Sequence, residues 1–297
     1  MAVKDRETLR AMLAERAAAA APGGLAEQRA GIDGLSAVFP VPSDVTVEAS
    51  NLGGVKGEWV RAPGARKDAA LLYLHGGGYV IGSPTSHRHL VALISRESGL
   101  PVFSADYRLA PEHPFPAAVD DAVAAYDGMI KSGIAPANIA IAGDSAGGGL
   151  TAAALVAIRD RKLPRPGAGV MISPWSDLSL SGASHKTRKD RDPMVGGEGL
   201  SGMLTAYAGT ADVKHPLISP AFADLKGLPP LLIQVGSEEV LHDDAVMLRD
   251  RAEADGVDVS FESWGGMVHV WPLFHPILGE GRDAVARIGS FLRNHIS

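Results

Sequence analysis

Residues Asn138–Gly149 read N-I-A-I-A-G-D-S-A-G-G-G. Ile139 and Ile141, with their small apolar neighbours, make a short run suited to a strand buried on both faces. The run stops at Gly143-Asp144-Ser145-Ala146-Gly147, and small residues then continue through Leu150 to Leu155 as a helix. Strand, G-x-S-x-G, helix is the setting in which a serine occupies a sharp, strained turn with its hydroxyl exposed. Glycines two before and two after Ser145 leave room for a neighbouring strand and helix. The turn lifts Ser145 Oγ out at the carboxyl end of the sheet. It also points Ala146 N–H, at a helix N-terminus, toward any oxyanion formed there. The same pattern also occurs as a glycine turn with a helix-capping serine, so the rest of the chain must decide.

Outward from this stretch, strands alternate with helices. Upstream lie the strand Ala70–Leu74, a helix from about Ser86 to Ser98, the strand Val102–Ala105 and a helix over about Ala117–Ser132. Downstream come the strands Gly169–Ile172 and Leu231–Val235, a helix over about Asp243–Asp255, an alternating strand Val257–Phe261 and a closing helix from about Glu280 to Asn294. Such alternation predicts a mostly parallel sheet covered on both faces, an α/β architecture with its site outside the carboxyl ends of the strands. Before it, helices are expected over about Asp5–Ala21, stopped by Pro22-Gly23-Gly24, and over Leu25–Ile32. An antiparallel pair follows, joined near Asn51–Gly54. The stretch from about Ser179 to Asp212 reads as irregular and polar.

Length and composition narrow the classes. The 297 residues suit one large α/β domain or two small ones, and 46% hydrophobic content supports a large core. Net charge is −6 with both signs spread along the chain. There is no basic stripe, so no nucleic-acid partner is expected. The chain has no cysteine, which excludes disulfides, a thiol nucleophile and a cysteine metal site and fits a reducing, cytoplasmic compartment. Asp5, Glu7 and Glu15 interrupt the N-terminus, so a signal peptide is not expected, and no apolar run is long enough for membrane insertion.

His75-Gly76-Gly77-Gly78 directly follows a strand. Successive glycines can turn two backbone N–H groups toward one point, where side chains would obstruct. Gly77 and Gly78 N–H, with Ala146 N–H, would make a three-donor oxyanion hole; the alternative is a flexible glycine loop, and the H-G-G-G match beside a strand favours the hole. A serine hydroxyl needs a base, and the base an orienting acid, here expected in the chain order Ser, acid, His. His269 lies just past the last strand, with His275 as rival. Glu238, Glu239, Asp243 and Asp244 are the acid candidates after the Leu231 strand. There is no S-x-x-K, G-x-x-x-x-G-K-[ST] or H-E-x-x-H. His87 and His89 stand close together without a third ligand and read as helix-surface residues, so neither metal nor cofactor is expected.

Together these residues resemble the hormone-sensitive-lipase-like branch of the α/β-hydrolases, the bacterial family IV esterases. The matches are H-G-G-G-Y at His75–Tyr79, Y-R-L-A-P-E-H-P-F-P-A-A at Tyr107–Ala118, G-D-S-A-G-G at Gly143–Gly148, S-P-W at Ser173–Trp175, H-P-L-I-S-P at His215–Pro220 and G-x-x-H at Gly266–His269. The resemblance implies an α/β-hydrolase body over residues 45–297, with N-terminal cap helices over 1–44 and a cap insertion at about 179–212. It implies a carboxylesterase acting on small short-chain esters through an acyl-serine, with Ser145 as nucleophile and His269 as base. The family's D-x-L-x-D segment falls on Glu239-Val240-Leu241-His242-Asp243, which makes Glu239 the acid, a glutamate in the first aspartate's place. The resemblance also implies a possible homodimer. An amidase or deacetylase with the same triad is the alternative. So is a small-ligand receptor on this fold, like the plant gibberellin receptors, which lack the histidine.

Overall fold

The computed structural model describes residues 2–19 and 23–296; Met1, Ala20–Pro22 and Ser297 lie outside the described residues, and with them the expected Pro22 stop. In chain order the elements are α1 (Ala2–Ala19), α2 (Leu25–Asp33), α3 (Leu35–Val38), β1 (Thr46–Leu52), β2 (Val55–Arg61), β3 (Ala70–Leu74), α4 (Pro84–Ser98), β4 (Val102–Ala105), α5 (Ala117–Lys131), β5 (Ile139–Asp144), α6 (Ala146–Asp160), β6 (Ala168–Ile172), α7 (Ser184–Thr187), α8 (Gly197–Ala208), β7 (Leu231–Gly236), α9 (His242–Ala254), β8 (Val259–Trp264) and α10 (Gly279–His295). The described strands form one eight-stranded sheet in the order β1-β2-β4-β3-β5-β6-β7-β8. β1 and β2 are antiparallel, as are β2 and β4. From β4 across to β8 every pairing is parallel.

Period-two alternation divides each central strand between two cores. Leu72, Leu74, Ile141 and Ile233 pack with α5, α6 and α9, whereas Leu71, Tyr73, Val170 and Leu232 pack with α4 and α10. Each fully buried large side chain contributes about 1.5–3 kcal/mol. That burial on both faces is why these strands read as unbroken apolar runs. No described helix is long and apolar enough to cross a membrane.

Three expectations need correction, and one short helix is additional. His87 and His89 are not on a helix surface; both are 2% exposed. α4 lies between the sheet, α3 and α10, so it has almost no solvent face. His89 Nε2 bonds Leu273 O (2.8 Å), and its ring packs near Phe39. The stretch 179–212 is not irregular throughout, because it carries α7 and α8. A short helix, α3, also follows α2. Finally, the last strand starts at Val259, not Val257. Val257 N–H bonds Ala252 O (2.9 Å) and Gly256 N–H bonds Glu253 O (3.0 Å), with Gly256 at φ 76°. Both residues thus close α9 in a Schellman motif before the strand begins.

Contact between β3 and the start of α6 is backbone on backbone. A Cβ on Gly147 would lie 1.9 Å from Leu74 O, and one on Gly143 2.3 Å from Gly147 O. Replacing Gly147 with alanine therefore forces helix and strand apart. Gly147→Ala is expected to cost at least about 1–3 kcal/mol, read as a lower urea midpoint at unchanged m-value. An unchanged midpoint would show that this approach does not constrain the fold.

Candidate active site

Ser145 sits between β5 and α6 with φ 54° and ψ −121°. A non-glycine residue held there costs about 1–3 kcal/mol and persists only where its surroundings over-determine it. They do: Ser145 N–H donates to Ile172 O (2.8 Å), while its carbonyl accepts from Gly149 N–H (3.0 Å) and Trp175 N–H (2.9 Å). β6 and α6 thus fix the peptide from both sides, and the side chain faces a cleft.

The loop after β3 forms another wall. Gly77 (φ 119°), Gly78 (φ 62°) and Tyr79 (φ 64°) are successive left-handed residues. Gly77 O accepts from Val80 and Ile81 N–H. The N–H groups of Gly77, Gly78 and Ala146 donate to no acceptor among the described residues. Gly77, Gly78 and Ser145 line the same cleft of about 200 Å³, roofed by Val195, Leu200 and Met203.

His269 arrives on the loop after β8. Its Nε2 lies 2.9 Å from Ser145 Oγ and its Nδ1 2.9 Å from Glu239 Oε2. Glu239 comes from the loop after β7 and is fully buried. Its Oε1 accepts from Ser173 Oγ (2.7 Å) and Gly236 N–H (2.5 Å). The carboxylate holds the proton of a neutral imidazole on Nδ1, which leaves the Nε2 lone pair facing the Ser145 hydroxyl. Burial pulls the His269 pKa down, but the Glu239 hydrogen bond and charge, helped by Asp192 and Asp144, raise it above the ordinary value. Burial pushes Glu239 upward, against the opposing pull of His269.

The other candidates stand apart from Ser145. His275 Nε2 faces His89 O (3.3 Å), and burial lowers its pKa to about 4. Glu238 accepts from Ser237 Oγ (2.9 Å) and its side chain is 22% exposed. Asp243 sits in the first turn of α9 and accepts from Ser184 N–H (2.9 Å). Asp244 is buried against His185 Nε2 (2.8 Å), and burial raises its pKa to about 6. Among the described residues, no three His, Asp or Glu are placed to hold a metal ion.

Three further residues shape the site without having been singled out for a role. Ser173 (φ 50°) donates to Glu239 and accepts from Val270 N–H (3.1 Å), so it joins the acid's loop to the histidine's. Its signal was the S-P-W motif. Asp192 accepts from Val240 N–H (3.1 Å), next to Glu239. Asp144, next to the serine, is buried and accepts from Tyr73 Oη (2.7 Å), Gly76 N–H (3.1 Å) and His87 Nε2 (3.2 Å). Its signal was the G-D-S-A-G-G motif, which does not by itself say what the carboxylate binds.

A family described as alpha/beta hydrolase fold matches residues 71–273. The chain is 52% identical over 252 residues to the acetyl-hydrolase of Streptomyces hygroscopicus, a match spanning 85% of this chain and 83% of that one. Among solved structures it is similar to EstE5 soaked with p-nitrophenyl butyrate (48% identity, TM-score 0.94, 98% of each chain). It is also similar to an esterase from the bacterial hormone-sensitive lipase family (47% identity, TM-score 0.97, 99% of each chain). The parallel sheet, the strained serine at the end of its fifth strand and these relatives agree: the chain belongs to the hormone-sensitive-lipase-like esterases of the α/β-hydrolase superfamily and is an ester-hydrolysing enzyme.

Proposed function

We propose that the protein hydrolyses short-chain carboxylic esters, with Ser145 as nucleophile, His269 as general base and acid, and Glu239 orienting the imidazole. One observation carries the reading: Ser145 Oγ, the His269 ring and the buried Glu239 carboxylate stand in one line of 2.9 Å contacts at the floor of a cleft. His269 Nε2 takes the Ser145 proton as Oγ attacks the ester carbonyl carbon. Gly77, Gly78 and Ala146 N–H hold the resulting oxyanion. His269 then protonates the departing alcohol as the C–O bond breaks, leaving acyl-Ser145. Water, deprotonated by His269, repeats the addition; the acid leaves and Ser145 regains its proton.

The substrate reading rests on the size and lining of the cleft. About 200 Å³ is below the roughly 300–1,000 Å³ common for ligand sites. Ile32 of α2 and Val195, Leu200 and Met203 contribute apolar walls. Residues 1–44 and 179–212 are accordingly read as a cap over a catalytic body of residues 45–297. The names acetyl-hydrolase and p-nitrophenyl butyrate, attached to relatives, point to the same small acyl groups.

Ser145→Ala is expected to lower kcat on p-nitrophenyl butyrate on the order of 10⁶-fold, as for other triad serines, with unchanged circular dichroism. A fluorophosphonate should label Ser145, located by peptide mass; label on another serine refutes the mechanism. The base must be neutral, and its pKa is raised above the ordinary 6.5. So kcat/KM is full above that raised value and falls as pH drops through it. Asp192→Asn removes a charge that favours the imidazolium, so this limb should move to lower pH. A limb that stays put denies Asp192 that influence. In a p-nitrophenyl ester series, acetate to hexanoate should exceed decanoate in kcat/KM; the reverse order would show that the cleft does not limit the acyl chain.

A further inference from the structure

Helix α8 touches the loop after β3 at two successive residues. Met203 covers Gly78 so closely that a Cβ there would lie 2.0 Å from its Sδ. One turn later the Tyr207 ring lies flat on the Tyr79 ring, with centroids 3.7 Å apart and planes 4° from parallel. Positions i and i+4 share a helix face, so one face of α8 covers both residues. The stack is closer than the usual ~4.5–7 Å between aromatic centroids. Both rings are 1% exposed. Trp175, whose N–H holds the Ser145 carbonyl, flanks Tyr79 at 6.2 Å.

Backbone bonds fix the frame around this stack. Tyr207 O accepts from Phe115 N–H (2.8 Å), and Tyr79 O accepts from Ala110 N–H (2.9 Å). Neither tyrosine hydroxyl has a hydrogen-bond partner among the described residues. The ring faces, not the oxygens, therefore carry the contact. Unlike Met203, Tyr207 does not line the cleft.

Tyr79 has φ 64°. A bulky residue there meets a steric penalty and stays only where its surroundings hold it. The aromatic stack is of the same order as that penalty, so it is one of the contacts that hold this conformation. If Tyr79 relaxes to negative φ, the Gly78–Tyr79 peptide turns, and the Gly76–Gly77 and Gly77–Gly78 peptides, joined to it through Gly78 Cα and carrying the Gly77 and Gly78 N–H groups, must shift to keep the chain connected.

We propose that Tyr207 is a positioning residue for the oxyanion hole: its stack on Tyr79 holds the Gly77 and Gly78 N–H groups in their working orientation. Docking of α8 thereby sets the chemical rate as well as roofing the cleft. The inference rests on the reading of those N–H groups as oxyanion donors.

The test is a series at position 207, with kcat and KM for p-nitrophenyl butyrate, the inhibition constant of butylboronic acid, and circular dichroism. Butylboronic acid forms a tetrahedral anion on the serine, so it reports the donors; butyramide serves as the planar comparison. Tyr207→Leu should lower kcat about 10–100-fold, less than the 10²–10³ for losing a donor outright. KM should stay within about threefold, and boronate affinity should fall by the same factor as kcat. Tyr207→Phe, which keeps the ring and loses only an unbonded hydroxyl, should match the unaltered protein in all three. If Tyr207→Leu does not fold, Tyr207→Met keeps the volume without the flat face and should show the same split. An unchanged kcat, a loss confined to KM, or Tyr207→Phe as impaired as Tyr207→Leu would overturn the proposal. Should the unaltered protein bind butylboronate no more tightly than butyramide, the oxyanion reading fails and takes this proposal with it. Tight boronate binding left untouched by Tyr207→Leu refutes the positioning role alone.

Discussion

Asp144 is a carboxylate buried directly behind the strained turn at Ser145, and the arrangement of the cleft depends on how its charge is met. Isolated, such a group costs several kcal/mol. Burial pushes its pKa up, yet the His87 charge and hydrogen bond, with the Tyr73 hydroxyl, hold it below the ordinary range. His87 correspondingly titrates above its usual value despite burial. His75, only 5.7 Å away ring to ring, is driven the other way, down to about 3, by burial and by the His87 charge. Asp144 and burial thus pull the two imidazoles in opposite directions, and the His75 ring stacks on Tyr107. Asp144 thereby ties β3 through Tyr73, the glycine loop through Gly76 N–H, and α4 through His87. A Cβ on Gly76 would meet its Oδ2 at 2.2 Å. Glycine there therefore serves approach to a charge as well as flexibility.

The fold contains other buried carboxylate–imidazole pairs, and comparing them shows what sets one apart. In Asp144–His87 the second ring nitrogen is taken by Ser86 Oγ at 2.8 Å. In Asp244–His185 the pair fastens the residues after β6 to α9, and Ser176 Oγ donates to Asp244 O nearby. Only in Glu239–His269 does the second nitrogen face a serine that opens into a cleft. A perturbed pKa is common to all three. It therefore cannot mark the site alone. The free lone pair and the solvent route beside it make the difference.

Most of the sheet is legible in the sequence because strands buried on both faces leave short apolar runs bounded by turn residues. Ser145, the glycines around it and the loop after β3 are legible for a related reason. Tight backbone approach demands small residues at fixed spacing, and Gly143, Gly147 and Gly76 meet backbone or carboxylate within 2.5 Å of a notional Cβ. Burial of α4 was not legible. His87 and His89 are polar, and only the tertiary arrangement reveals that a charge and a carbonyl await them. α8 was obscured by Gly197, Gly199 and Gly202, each of which weakens helix propensity by about 1 kcal/mol. Its apolar residues Leu200, Met203, Leu204 and Tyr207 do recur at helical spacing, but packing on the loop after β3, not propensity, stabilises the helix.

A glutamate at position 239 raises a question of reach that the surrounding bonds answer. Glutamate carries one more rotatable bond than aspartate and loses more rotamer freedom when fixed. A longer acid can still orient an imidazole if its second oxygen is restrained. Here Oε1 is restrained twice, by Ser173 Oγ and by Gly236 N–H, while Oε2 is left to His269. Ser173 also accepts from Val270 N–H, one residue past His269. The fixing of the carboxylate and the fixing of the ring thus share one hydroxyl. Glu238 N–H donates to Met267 O (3.0 Å), which joins the two loops a second time. The extra methylene is accommodated because both loops are held to one another, so the distance the side chain must span cannot drift.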